Sequence, residues 1–223
     1  MNETETSPRV AFTRQDLLWW ALISLFVGGL LGAGIVHLLQ PAGPPARVDS
    51  GPLPVYGKVS AFQLVDSGGD PIDQSYLEGR VWVADFFFTS CAGICPMMSK
   101  HLVELQKKLE GVPEVTFVSI SVDPERDTPE RLRRYARHYG ADPDRWWFLT
   151  GDRAVIYRLS QESFHLGVEE VPADQRTPDT EEVMHSSRFV LLDRKGRIRG
   201  YYEGEEAGVV ERLAADIRRL LEE

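Results

Sequence analysis

The sequence predicts an α/β fold, a mixed sheet flanked by helices, on three observations. Nearly continuous apolar runs such as "VWVADFFF" (Val81–Phe88) and "VTFVSISV" (Val115–Val122) read as strands buried on both faces. Segments of helical periodicity separate them. Turn signals, "SGGD" after Asp66 and Asp193 to Gly196, mark hairpins near both ends of the folded part. The chain has 223 residues, 43% hydrophobic and 26% charged, enough for one domain with extras. Its net charge of −9 argues against nucleic acid as a partner.

Taken in order, "VSAFQLVD" (Val59–Asp66) alternates apolar and polar residues and leads into a hairpin. Val81–Phe88 is a central strand. Pro96–Leu109 is an amphipathic helix, with Pro96 suited to its first turn. Val115–Val122 is a second buried strand. Residues Thr128–Tyr139 form a helix stopped by Gly140, with Asp127 or Thr128 as its cap and Pro129 and Glu130 in its first turn. "WWFLTG" gives a short strand, and Asp152–Glu162 another helix. A hairpin turning at Asp193–Gly196 precedes a closing helix that is apolar at Val209, Leu213, Ile217 and Leu220. A strand, a cysteine loop and a helix, followed later by a hairpin and a final helix, make up the arrangement of thioredoxin-like folds. The expected architecture is therefore a thioredoxin-like mixed sheet flanked by helices with an N-terminal hairpin.

The N-terminus adds a membrane element. Leu17–Val36 is twenty residues without a charge. At about 1.5 Å per residue that spans the ~30 Å hydrocarbon core. Trp19 and Trp20 stand near one end, where interfacial aromatics belong. The expected organisation is a cytoplasmic tail over residues 1–16, a single transmembrane helix over 17–39, a Pro/Gly-rich linker over 40–56 and a soluble domain over 57–223. Arg9 and Arg14 precede the span and Arg47 alone follows closely. That places the domain outside, on the periplasmic or exterior face of a bacterial plasma membrane. Thiols there meet an oxidising compartment.

Two cysteines are too few for a disulfide scaffold. They stand together in "FFFTSCAGICPMM" (Phe86–Met98), at the end of a strand and the start of a helix. Unpaired N–H groups at a helix N-terminus favour a thiolate, so lowered pKa values are expected at Cys91 and Cys95. The C-x-x-x-C spacing permits a disulfide or redox couple, and it also lets two sulfurs open around a metal. Two thiolates suit soft Cu(I), whereas structural zinc prefers four protein ligands. A third ligand must come from elsewhere. His37 lies at the membrane end, and His101 stands about 240° around its helix from Cys95. His138 sits near a helix terminus, His165 follows Phe164, and His185 lies in a loop directly before a hydrophobic strand. Loop residues on a rigid edge suit a site. Met97 and Met98 are soft thioethers beside the thiols, with core packing expected for at least one. Asp123 and Asp127 belong to the strand-end loop and could shape the cysteine site from behind.

"FFFTSCAGICPMM", "SVDPERDTPERLRRYA" and "HSSRFVLLDRKGRIRGYYEG" together resemble the Sco/SenC family, thioredoxin-fold proteins involved in assembling cytochrome c oxidase. The likeness runs from about Val55 to the C-terminus. In that family the two cysteines and a distal histidine bind one copper ion, which implies Cys91, Cys95 and His185 here. The resemblance implies copper as Cu(I), with Cu(II) as a second state, and Cys91 and Cys95 as a redox pair. It implies delivery of copper to the binuclear centre on cytochrome c oxidase subunit II, reduction of that centre's cysteines, or both. A periplasmic copper donor or thiol reductant would serve as a further partner. Two alternatives of different class are a thiol–disulfide oxidoreductase and a redox or copper sensor. The chain departs from the family pattern at Met184, where many members carry Asp, and at Ala92, Gly93 and Ile94, where Pro-Asp-like residues are usual.

Overall fold

The computed structural model describes residues 51–170 and 183–223, without the side chains of 169–170 and 183–185, and a few helical residues between 15 and 26. The chain divides into two units, Met1–Ser50 and Gly51–Glu223. Of the first, Gln15, Leu18, Trp19 and residues 22–26 are helical. The anchor expected over 17–39 otherwise lies outside the described residues. Among those described, no helix is long and apolar enough to cross a membrane.

The second unit is built on an eight-stranded sheet. Its strands are β1 (Gly57–Lys58), β2 (Gln63–Asp66), β3 (Pro71–Asp73), β4 (Val81–Phe87), β5 (Val115–Ser121), β6 (Trp146–Thr150), β9 (Arg188–Leu192) and β10 (Arg197–Glu203), and their spatial order is β1-β10-β9-β4-β5-β6-β2-β3. Two further strands, β7 (Val168–Glu170) and β8 (Val183–His185), pair only with each other. Among the described residues four α-helices accompany them: α1 (Cys95–Lys108), α2 (Pro129–Tyr139), α3 (Arg153–Arg158) and α4 (Val209–Glu222). A π-helical turn, Leu159–Ser163, extends α3. The strands β4, β5 and β6 run parallel, and β9 joins β4 antiparallel. This is the expected thioredoxin-like mixed sheet, with a cysteine loop joining β4 to α1 and a hairpin, β9–β10, leading to α4.

Every residue of β4 and β5 is buried, as central strands covered on both faces require. The N-terminal hairpin forms as expected but is shorter. The turn after Asp66 is closed by the Asp66 carboxylate, which accepts from the Gly68 and Asp70 N–H groups, and β2 starts only at Gln63. α2 stops at Gly140, which adopts φ 67°, a left-handed conformation that a residue without Cβ reaches at no steric cost. Its cap is Thr128, whose side chain accepts from the Arg131 N–H. Asp127 does not cap the helix. α4 buries Val209, Val210, Leu213, Ala214, Ile217 and Leu220.

The folded unit takes in residues that read as linker. The Leu53 N–H donates to Glu223, the Tyr56 N–H donates to the Ile198 carbonyl, and Arg199 donates to the Leu53 and Pro54 carbonyls.

Candidate metal centre

β4 delivers the cysteine loop to the carboxyl end of the parallel strands, where open α/β sheets bind their ligands. After Phe87 the chain leaves the sheet, and α1 begins at Cys95 itself. No side chain caps α1. Cys91 occupies the corresponding position in space. The Cys95 N–H donates to the Cys91 Sγ at 3.4 Å, so a sulfur takes the place of the usual capping oxygen. No disulfide joins the two cysteines, and both are buried, Cys91 6% and Cys95 1% exposed.

The expected lowering of both thiols fails at Cys95. Its thiol is pushed up well beyond the ordinary range. The main cause is the hydrogen bond between its S–H and the Cys91 sulfur, which is lost with the proton; burial adds to this. The Phe88 backbone acts in the opposite direction and is outweighed, while the charges of Cys91 and Asp85 raise the thiol further. The helix terminus thus serves Cys91, and two donors of Cys95, N–H and S–H, converge on one sulfur. Negative charge entering the pair is best received at Cys91. A soft cation replacing the Cys95 proton would sit between the two sulfurs, which are already adjacent.

Asp85 is a site neighbour that periodicity alone hides. It lies inside β4, is 2% exposed, and accepts from the Ser119 hydroxyl at 2.6 Å. Ser119 in turn accepts from the Trp146 indole at 3.0 Å. A charged residue inside a buried strand was the available signal, since such groups are rarely buried without partners.

His185 closes the short strand β8, with its Cα opposite Val168 of β7. It was expected in a loop; the local pairing with β7 makes that loop a small two-stranded arm. Its ring lies outside the described side chains. Among the described residues no group of three or more His, Cys, Asp or Glu side chains forms a metal site. The three expected ligands are therefore placed as an adjacent sulfur pair and a histidine located by its backbone.

The route from His185 back to the cysteine helix is tightly packed. Ser187 accepts from the Gly204 N–H at 2.7 Å. The Gly204 carbonyl is 2.9 Å from His101 Nδ1. His101 thus docks α1 onto the β10 end. A Cβ at Gly204 would meet the Ser187 carbonyl oxygen at 2.6 Å and Met98 Cγ at 2.9 Å. Gly204→Ala is expected to lower stability by about 1–3 kcal/mol in urea unfolding, because backbone on one side and a core methionine on the other must give way. Met98 is 1% exposed and fills the core as expected for one of the pair, whereas Met97 is 36% exposed.

His37 lies outside the described residues, and the remaining described histidines stand elsewhere. His138 lies in the last turn of α2. His165 is exposed and takes φ 54°. Asp123 is buried and pairs with Arg126 at 2.7 Å.

Comparisons with known proteins agree with this fold. The SCO1/SenC family model matches residues 54–222. The SCO1 protein homolog of Bacillus subtilis is 34% identical over 190 residues, covering 84% of this chain and 94% of that protein. Among solved structures, BsSco has a described disulfide switch and is named a member of the Sco family of cytochrome c oxidase assembly proteins. It aligns with TM-score 0.64 at 32% identity, covering 76% of this chain and 98% of that one. ScoI of Bradyrhizobium japonicum, solved with copper bound, aligns with TM-score 0.58 at 28% identity, covering 74% of this chain and 99% of that one. With a matched region that includes the cysteine loop, the buried Asp127 segment and the β9–β10 hairpin, the chain belongs to the SCO1/SenC family.

Proposed function

We propose that the protein is a membrane-anchored copper-binding assembly factor for the binuclear copper centre of cytochrome c oxidase, with Cys91, Cys95 and His185 as the ligands. The observation that carries this reading is the sulfur pair at the start of α1, two buried cysteines in which the Cys95 N–H donates to the Cys91 sulfur at 3.4 Å. Cu(I) taking the place of the Cys95 proton would join the two sulfurs and remove the cost of a buried, poorly solvated anion. The imidazole of His185 supplies the third donor, a ligand type that suits copper. The copper-bound relative and the oxidase-assembly relative support the same assignment by analogy.

Copper is cargo in this reading. It comes from a periplasmic donor and passes to cytochrome c oxidase subunit II. The apolar, charge-free run Leu17–Val36 tethers the domain to the outer face of the plasma membrane, where that subunit presents its copper centre.

His185→Ala tests the ligand set. Cu(I) affinity, measured by anaerobic competition with a chromophoric chelator, is expected to fall more than about 10-fold. Disulfide reduction by the Cys91–Cys95 pair in an insulin assay is expected to change little. Unchanged Cu(I) affinity would remove His185 from the site.

A second reading is favoured by the adjacency of two thiols not joined by a disulfide. In it Cys91 attacks a partner disulfide, forming a mixed disulfide and releasing one partner thiolate. Cys95, once deprotonated, then displaces the second partner sulfur. The pair ends as a disulfide and the partner as a dithiol. This serves the oxidase subunit if its copper cysteines arrive oxidised. Fast cycling with weak Cu(I) binding would favour this reading over the first.

A further inference from the structure

The segment "VDPERDTPERL" resembles a helix start, yet the structure leaves one of its residues without that task. Thr128 caps α2, and Asp127 is turned inward with no exposure at all. A carboxylate removed from water is retained only where its oxygens are fully engaged. Its partners lie at the cysteine loop. Oδ2 accepts from the Thr89 N–H at 2.9 Å and from the Ser121 hydroxyl at 2.6 Å. Oδ1 accepts from the Thr89 hydroxyl. Arg131 donates to the Thr89 hydroxyl oxygen at 2.6 Å and places its charge 3.6 Å from Oδ1.

Thr89 stands two residues before Cys91, on the stretch between Phe87 and Cys95 that belongs to no strand or helix. Ser121 ends β5, the parallel neighbour of β4. One carboxylate therefore ties the departing cysteine loop to the sheet and to the first turn of α2. We propose that Asp127 is the positioning residue of the cysteine loop: by holding Thr89 at both its N–H and its hydroxyl, it sets where Cys91 stands against Cys95. This rests on reading Cys91 and Cys95 as the copper ligands.

The test uses the full chain in detergent, with Cu(I) as the probe and two readouts. One is Cu(I) affinity against a chromophoric chelator. The other is the rate of alkylation of the metal-free thiols by iodoacetamide, which needs no metal. Asp127→Ala is expected to lower Cu(I) affinity about 10–100-fold, as loss of a partner that orients a ligand does. It is expected to speed alkylation by about 10-fold or more, because the loop opens locally. Thr89→Val, which removes the hydroxyl that both donates to Asp127 and accepts from Arg131, is expected to act in the same direction. Thr89→Ser, which keeps that hydroxyl, is expected to stay within about 3-fold of the unmodified protein on both readouts. Thr128→Ala is the stability control. It weakens the α2 cap and lowers the melting temperature, and both readouts should stay at the level of the unmodified protein.

A folded Asp127→Ala protein with unchanged affinity and alkylation would overturn the proposal. So would a Thr128→Ala protein that loosened the thiols equally at the same loss of melting temperature, since the effect would then be general destabilisation. If Asp127→Ala does not fold, Thr89→Val decides by the same criteria. If the unmodified chain does not retain Cu(I), the copper reading fails, and alkylation alone judges the clamp.

Discussion

Serine at either Cys91 or Cys95 is expected to abolish retention of Cu(I) by the full-length protein. The chain supplies two thiol sulfurs that can bind as soft anions and no third, since it holds only two cysteines. A hydroxyl is a hard, weakly acidic donor that Cu(I) does not replace a thiolate with. The loss should therefore exceed the roughly 10–100-fold that follows from removing an outer hydrogen-bond partner. Competition with a chromophoric Cu(I) chelator measures it. Near-normal retention in either variant would refute the sulfur pair as the site.

The two substitutions should differ in a second respect. Cys95 carries the thiol that burial and the Cys91 hydrogen bond push upward. Copper must therefore displace a proton from Cys95 throughout the neutral range. Affinity is expected to rise with pH, by up to about 10-fold per unit for each proton released. Cys95→Ser removes that proton from the exchange, while Cys91→Ser removes the sulfur on which two donors converge. In thiol–disulfide assays both variants lose turnover. Only Cys95→Ser should trap the mixed disulfide, because Cys91 remains as the attacking sulfur. Trapping by Cys91→Ser instead would reverse the assigned order of the two thiols.

Most of the element order was legible because hydrophobic period is a local property. The uninterrupted apolar runs became β4 and β5, and the 3.6-residue stripe of Val209, Leu213, Ile217 and Leu220 became the buried face of α4. The shortest pieces were not legible. β1 has two residues and β7 and β8 three each, too few to show any period; only pairing with a distant partner defines them. The cysteine pair was visible as chemistry from its position at a strand–helix junction. Its electrostatics were not. Local reasoning assigned the helix terminus to both thiols, whereas the fold gives it to Cys91 and leaves Cys95 donating. Asp85 was hidden for a related reason, and Asp127 was legible only as two open readings, a helix cap or a residue behind the cysteine site. A carboxylate reads as surface or as a cap until a partner is known, and the partners of Asp127 stand at Thr89, 38 residues earlier, and at Ser121. His185 drew its assignment from the family resemblance, since a histidine before a strand carries little information by itself.

Arg199 provides the largest expected effect on stability. It sits in β10, only 3% exposed, with its guanidinium fully engaged. It bonds Asp193 at 3.1 Å, Glu223 at 2.6 Å and the Leu53 carbonyl at 2.6 Å, and it also reaches the Pro54 carbonyl. One planar side chain thus joins the first residues of the folded unit, the β9–β10 turn and the C-terminal residue. Arg199→Met keeps much of the apolar stem but strands these acceptors. Breaking a buried ion pair from one side typically costs about 3–5 kcal/mol, since the partner is left buried and uncompensated. Here Glu223 is partly exposed and Asp193 keeps Arg197 at 2.7 Å, so the lower end, about 3 kcal/mol, is expected in denaturant unfolding. Glu223→Gln should cost far less, because that end of the pair can turn to water. The same contacts set where a soluble form should begin. A chain starting at Gly51 retains the Leu53 and Pro54 carbonyls that Arg199 needs. One starting at Gly57 lacks them and should unfold at lower denaturant by a margin that largely disappears in the Arg199→Met background. Equal stability of the two starts with Arg199 intact would show that the guanidinium finds water as good a partner as the chain, and would set its contribution near that of a surface pair.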